Sequence, residues 1–279
     1  MSSKQGTLLK TLSAIRQKNA VLNERKKRFR ESGLSWVYIK YLKHIKPDKI
    51  RYHSLKGKKI AFMKGPELIH ALQEIFVEET YLQVLPENAR IIDCGANIGI
   101  SVIYLNLLSP SAHITAFEPD DTNFSLLEKN AAAWGIQHIS LRKEAVWIKN
   151  ETLFFENNGS QDSKITGERK ENTVEVKGTR LRDELNGKVD FLKIDIEGAE
   201  YVVIKDIADK LHLVDNLFIE YHGMFGQVNE LVEILDIVTK SGFTFYIKEA
   251  SNIYPTPFLI RKKAYLHDMQ LNIFCMRNK

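Results

Sequence analysis

Cysteine is scarce: only Cys94 and Cys275 occur. A disulfide framework is excluded, and so is any Cys-x-x-Cys metal site. No run of about 18 apolar residues is present, which leaves no transmembrane helix to predict. The N-terminus has no apolar stretch of the signal-peptide kind. The expectation is a reduced, cytoplasmic protein. Two phosphate-binding patterns are also missing, Gly-x-Gly-x-x-Gly and Gly-x-x-x-x-Gly-Lys-Ser/Thr, which disfavours a dinucleotide turn or a nucleoside-triphosphate loop. Neither an Asp/Asn-Pro-Pro-Tyr/Phe loop nor a Pro-Cys pair exists. Amino-group and cytosine-C5 methylation of nucleic acid lose their usual chemistry with them.

What is present is enough for a core. The 279 residues are 44% hydrophobic and 27% charged, in the range of globular domains. The net charge of +5 hides an asymmetry: residues 1–64 hold 18 Lys+Arg against 3 Asp+Glu, while the remainder is acidic. The split suggests a basic N-terminal extension over 1–65 and a main domain over 66–279. Residues 7–30 read as a basic helix, Leu34–His44 as a second, and Ile50–Ser54 with Lys59–Phe62 as a hairpin around Lys56-Gly57. Pro66 opens another helix. This basic part offers a surface to an anionic membrane, to an acidic acceptor, or to a second copy of the chain. It matches no defined nucleic-acid motif.

From Pro86 on, strand and helix patterns alternate. The strands are Arg90–Cys94, His113–Phe117, Ile139–Leu141, Val189–Ile194, Asn216–Glu220, Phe243–Ile247 and Leu271–Met276. The helices are Ile98–Leu108, Thr122–Trp134, Ala199–Ala208 and Val228–Lys240. Such alternation predicts an α/β fold with a mostly parallel sheet covered by helices on both faces. Leu153–Phe155 and Val174–Val176, flanking a polar loop, read as an inserted hairpin.

The first strand ends in Asp93-Cys94-Gly95-Ala96-Asn97-Ile98-Gly99. In open parallel sheets ligands bind at the carboxyl ends of strands. Gly95 and Ala96 let the backbone approach a ligand, and Gly99 permits tight helix–sheet packing. Asp93 suits a cationic ligand and repels a pyrophosphate. S-adenosylmethionine carries a sulfonium and an ammonium and no phosphate. Glu118, in Ala116-Phe117-Glu118-Pro119 at the end of the second strand, is placed to accept two ribose hydroxyls. Glu144, before Ala145-Val146 after the third strand, is placed to take the amino group of an adenine held between apolar walls.

Four stretches together, IIDCGANIGIS, TAFEPDDTNFSLLEKNAAAWG, VDFLKIDIEGAEYVVIKD and LFIEYHG, resemble the FkbM family of S-adenosylmethionine-dependent methyltransferases over roughly residues 66–250. The resemblance implies a class I, Rossmann-like methyltransferase fold with a seven-stranded sheet. It also implies O-methylation of a hydroxyl, with carbohydrates and secondary metabolites among the family's acceptors. By the same resemblance Asp93, Gly95, Asn97, Glu118 and Asn123 line the cofactor pocket.

Chemistry is expected at the ends of the fourth and fifth strands. Lys193 sits mid-strand and requires a carboxylate, Asp195 or Glu118. Asp195 shares its face by strand periodicity and points into the cleft beside the methyl donor. Glu220 and His222 likewise share a face, so Asp195, Glu197, Glu220 and His222 converge. Methyl transfer needs the acceptor oxygen aligned and its proton removed. His222 and Asp195 are the candidate bases, with Lys193 and Glu220 beside them. The same donors suit Mg²⁺ or another divalent ion. Nothing in the spacing demands one, and no metal is assigned. A cofactor-binding module without turnover is the non-enzymatic alternative. Tyr81 and Cys94 read as packing residues, and Ser160 and Ser163 as loop residues.

Overall fold

The computed structural model describes residues 18–156, 165–166, 173–259 and 267–277. Among them no helix is long and apolar enough to cross a membrane. Ser160 and Ser163, and the first part of the predicted basic helix, lie outside the described residues.

The described residues begin with helix α1 over 18–31, then α2 (Trp36–Leu42), capped by the Ser35 side chain. Strands β1 (Arg51–Leu55) and β2 (Lys58–Phe62) form an antiparallel hairpin. Lys56 and Gly57 both take positive φ at its turn, 49° and 78°, as the twist of a two-residue hairpin requires. Helix α3 (Gly65–Ala71) has proline in its first turn and runs on into a π-helical turn, Leu72–Val77, which periodicity alone did not reveal.

The central sheet uses β3 (Arg90–Cys94), β4 (His113–Phe117), β5 (Ile139–Arg142), β10 (Val189–Ile194), β11 (Val214–Gly223), β12 (Phe243–Glu249) and β13 (Met269–Arg277). Their order is β12-β13-β11-β10-β3-β4-β5. All pairs are parallel except those of β13, which runs antiparallel to both β11 and β12. This is the class I methyltransferase sheet. The chain order reverses between β10 and β3, so the ligand crevice falls at their carboxyl ends. A second sheet joins β6 (Ala145–Trp147), β7 (Thr152–Glu156), β8 (Ile165–Thr166) and β9 (Thr173–Arg180). In it β7 and β9 form the expected antiparallel pair, and the short helix α6 (Leu181–Glu184) follows β9.

Side-chain alternation divides the core by sheet face. Ile91, Phe191 and Phe218 pack on one side, against α4 (Ile100–Leu108), α5 (Asp121–Trp134) and the hairpin. Ile92, Leu192 and Ile219 pack on the other, against α7 (Glu200–Asp206) and α8 (Val228–Lys240). The first core takes Leu34, Leu42, Ile60 and Phe62 from the basic N-terminal part together with Ile103 and Leu127 of the main domain. Hydrophobic packing thus runs across the 65/66 boundary. Outside it, α2 exposes Trp36, Val37 and Tyr41 beside Lys40.

One polar residue pins the hairpin. Asn130 of α5 is fully buried; its Oδ1 accepts from Ala61 N–H (2.6 Å), and its Nδ2 donates to Ala61 O (3.0 Å) and Ile98 O (2.8 Å). It therefore couples hairpin, helix and the turn after β3. Replacing it by leucine strands three buried backbone groups at about 1–3 kcal/mol each before relaxation. Asn130→Leu is expected to lower unfolding stability by about 2–4 kcal/mol in urea titrations. A change below about 0.5 kcal/mol would show that packing and the bonds between Trp134 and the hairpin at Lys58 and Lys59 hold it without Asn130.

Candidate functional site

A cavity of about 910 Å³ opens at the carboxyl ends of β3, β4 and β10. That is ample for a nucleoside-sized ligand. Among the residues assigned to the cofactor, Gly95, Asn97, Glu118, Pro119, Asn123, Glu144, Ala145 and Asp195 line it. Asp93, Ala96 and Gly99 do not; they build the turn from behind.

The turn has little freedom. Gly95 has φ +84°, and a Cβ there would lie 1.8 Å from the backbone oxygen of Asp195. Backbone contact thus locks the end of β3 to the end of β10, and only glycine fits. Asn97 also takes a positive φ of 49°, which asparagine tolerates. Gly99 caps α4, and a Cβ there would meet Leu127 Cδ1 at 2.6 Å. Its role is helix–helix packing, where helix–sheet packing was expected.

Asp93 is also not a cofactor contact in this geometry. It is wholly buried, accepts from Ser101 Oγ at 2.5 Å and pairs with Lys193 Nζ at 3.1 Å. Lys193 and Asp93 are direct register neighbours on β10 and β3, so their side chains rise from the same face. Lys193 also contacts Asp195 Oδ2 (3.2 Å) and donates to Gly95 O (2.8 Å). Its partners are thus Asp93 and Asp195; Glu118 is not among them. Burial opposes charge on this lysine, but the Asp195 and Asp93 carboxylates outweigh it and hold the pKa well above the ordinary value. Lys193 and Glu220 both stay off the cavity wall.

Glu118 faces the cavity with its back bonded. Oε2 accepts from Asn97 N–H (2.8 Å) and Oε1 from Asp120 N–H (2.9 Å). Burial raises its pKa to about 7, against the lowering effect of those two bonds. Both oxygens keep a lone pair for a ribose diol. Glu144 is more heavily committed. It pairs with Arg142 (2.7 Å) and Lys177 (2.8 Å) and accepts from Thr179 Oγ1. Burial pushes its pKa up, but these three contacts prevail and hold it at about 2. With four lone-pair sites and three donors already in place, little of this carboxylate remains for an adenine amino group.

At the other end of the cavity Asp195, Glu197 and His222 meet. His222 Nε2 lies 3.4 Å from Glu197 Oε2 and 3.7 Å from Glu220 Oε1. Its Nδ1 lies 3.1 Å from Glu200 Oε1. Glu200 is fully buried, and its carboxylate also accepts from the Ile196 and Gly198 N–H groups. Glu197 at φ 55° and Gly198 at φ 101° make the bend that brings those donors round. Burial disfavours the imidazolium, yet the Glu200 hydrogen bond and the charges of Glu200, Glu197 and Asp195 raise His222 to about 10. An unperturbed imidazole near 6.5 was the sequence-based premise for a general base. The carboxylate frame removes that premise for the cofactor-free chain. Glu220 is raised well above the usual range by burial and by Asp195 and Glu74.

Sequence reasoning missed Glu200, His267 and Gln270. Glu200 closes the quoted stretch KIDIEGAE, and its spacing of five from Asp195 was the available signal. His267 lines the cavity, its ring 5.0 Å from that of His222. Gln270 is the register partner of His222 and donates to Glu220 Oε1 at 2.6 Å. Neither stands in a recognisable motif. Tyr81 packs edge-on against Phe218 at 5.0 Å, and Cys94 is sealed with its thiol pushed well up by burial. Both are packing residues, as expected.

A seven-stranded sheet of this order, with a glycine turn after its first strand and an acid after its second, defines a class I S-adenosylmethionine-dependent methyltransferase. The model of the methyltransferase FkbM domain matches residues 93–245, and the chain belongs to that family. "Methyltransferase 1" of Beauveria bassiana (strain ARSEF 2860) is 30% identical over 200 residues, covering 60% of this chain and 79% of the relative. "Methyltransferase sdnD" of Sordaria araneosa is 28% identical over 232 residues, covering 68% and 86%. The crystal structure of M. jannaschii TYW2 in complex with AdoMet has 13% identity and a TM-score of 0.47, covering 81% of this chain and 84% of that one.

The residues present fit the cofactor. Glu118 offers a carboxylate for a diol, Gly95 a side-chain-free wall, and Asp195 an anion toward a sulfonium. A diol donates to the ionised form of Glu118, so affinity should follow its titration. Below its pKa the free carboxyl must lose a proton before binding, so affinity rises with pH through about 7 and then levels. Calorimetry with S-adenosylhomocysteine should show about tenfold tighter binding at pH 8 than at pH 6. Glu118→Gln should bind weakly with a flat profile, and an unchanged slope in this variant would refute the assignment. Lys193→Met should cost about 3–5 kcal/mol of stability, because Asp93 then stays buried without its counter-ion. Thermal and urea unfolding read this directly.

Proposed function

We propose that the chain moves the methyl group of S-adenosylmethionine to a hydroxyl oxygen of a small molecule or saccharide. The observation that carries this reading is the cluster of proton-accepting groups at one end of the cavity. Asp195 and Glu197 stand beside His222, whose far nitrogen is held by Glu200. The bound cofactor supplies an activated methyl group on a sulfonium. The acceptor oxygen forms the new O–C bond as the S–C bond breaks, S-adenosylhomocysteine leaves, and the acceptor's proton passes to the Asp195 carboxylate. Asp195 is carried by the same backbone that abuts Gly95, so acceptor and donor are positioned by one rigid junction. Phe62, Met63 and Lys64 wall part of the cavity, which lets the N-terminal part shape the acceptor.

The test is methyl transfer from radiolabelled S-adenosylmethionine to a panel of hydroxylated saccharides and small alcohols. The product bond is then assigned by NMR. A base-stable methyl ether is expected. His222→Gln should lower kcat by about 10²–10⁴ while cofactor affinity stays within about threefold. A methyl group found on nitrogen or carbon would sink the hydroxyl reading. So would a His222→Gln enzyme with wild-type kcat.

A further inference from the structure

Around His222 the acceptors outnumber the donors. Two carboxylates, those of Asp93 and Asp195, pair with the Lys193 ammonium, and three more, those of Glu197, Glu200 and Glu220, lie 3.1–3.7 Å from the nitrogens of the single His222 ring. Lys193 is spent on Asp93, Asp195 and Gly95 O. On the neighbouring strand Asn272, the register partner of Glu220, is 2% exposed, and its Oδ1 has no hydrogen-bond partner. Its Nδ2 is taken by Glu74 at 2.8 Å. The Gln270 amide also enters the group. It gives a hydrogen bond to Glu220 Oε1 and lies 3.4 Å from His222 Nε2.

The histidine is oriented in the way a ligating imidazole is. Its Nδ1 faces a carboxylate, Glu200, that is itself locked by two backbone N–H groups. Such a carboxylate keeps the proton on Nδ1, so an incoming cation has only the Nε2 proton to displace to gain that nitrogen's lone pair. That lone pair looks toward further acceptors. Ligand atoms of Asp195, Glu220 and His222 all lie within 4.8 Å of one another. The Nε2 distances of 3.4 Å to Glu197 and 3.7 Å to Glu220 exceed the roughly 2.7–2.9 Å of a tight charged hydrogen bond. They approach the separation of neighbouring ligands on one cation, about 3.0–3.4 Å for bonds of about 2.1 Å. One imidazole with carboxylate oxygens is a donor set for Mn²⁺ or a similar hard divalent ion, and too poor in nitrogen and sulfur to favour a soft one.

We infer that His222 Nε2, Asp195 and Glu220 form a divalent-cation site at the cavity wall, with Glu220 approaching from behind the wall and Glu197 and His267 on its solvent side. The inference rests on the hydroxyl-methylation reading for its purpose: a cation there takes the acceptor oxygen in an open position and makes its proton easier to lose. The cation site itself follows from geometry and charge and is measured without turnover.

The probe is Mn²⁺, added to chelator-treated, cofactor-free protein and followed by the electron paramagnetic resonance of the free ion. One Mn²⁺ per chain is expected, with pulsed spectra of the bound ion showing coupling to an imidazole nitrogen. Glu220→Gln and His222→Gln should each weaken binding at least tenfold, with folding checked by thermal unfolding and cofactor calorimetry. The wild-type nitrogen coupling stands even where a variant fails to fold. Absence of a stoichiometric ion, or a bound ion without nitrogen coupling, overturns the site. Methyl ether formation that proceeds undiminished in excess chelator also overturns it while leaving the hydroxyl reading intact. A bound Mn²⁺ with no hydroxyl methylated does the reverse.

Discussion

A single buried ammonium organises the ligand-binding edge of this sheet. Lys193 reaches Asp93 across the β10–β3 pair, Asp195 along its own strand, and the carbonyl of Gly95 at the turn. Those contacts surround its charge with two carboxylates and a carbonyl. A charge in this position is tolerated only because it is fully paired. The glycine turn, the strand end bearing Asp195, and the helix start bearing Ser101 are thereby fixed to one another. With Gly95 pressed against the Asp195 backbone, the two ends of the cavity cannot drift apart independently.

Strand periodicity then distributes the chemistry. Every second residue of β10 and β11 shares a face, so Lys193, Asp195, Glu220 and His222 all emerge on the side of Phe191 and Phe218. The opposite side keeps Leu192, Ile194 and Ile219 in an apolar core. The sheet therefore spends one face on polar groups only near its carboxyl edge. The cost is visible in the perturbed titration of Glu118, Glu220 and His222, and strongly shifted groups in a cleft mark a functional site.

Much of this was legible in the sequence. Buried parallel strands are continuous apolar runs with turn residues at their ends, so β3, β4 and β10 were bounded residue for residue, as was α8. The convergence of Asp195, Glu197, Glu220 and His222 followed from period two and strand adjacency. Other features were not legible because they depend on distant segments. Asp93 looked like a ligand contact because its partner Lys193 lies 100 residues away. Glu144 looked free because Lys177 and Thr179 arrive from the inserted sheet. The pKa of His222 is set by Glu200, whose burial no local pattern announces. The π-helical turn at Leu72–Val77, which delivers Glu74 to Asn272, has no composition signature.

The segment that matches the family model, residues 93–245, does not enclose its own cavity. Phe62, Met63, Lys64 and Glu67 come from before it, and His267 from after it. Asn130 and the antiparallel β13 sew those outer pieces to the matched part. Modular exchange is therefore awkward in this protein. A chimera cut at the borders of the shared segment would transplant the cofactor floor but sever the walls from it. It would also leave Asn130 and Glu220 facing foreign neighbours. Diversification of acceptors along such a lineage is easier by point changes in the flanking walls than by shuffling the matched middle.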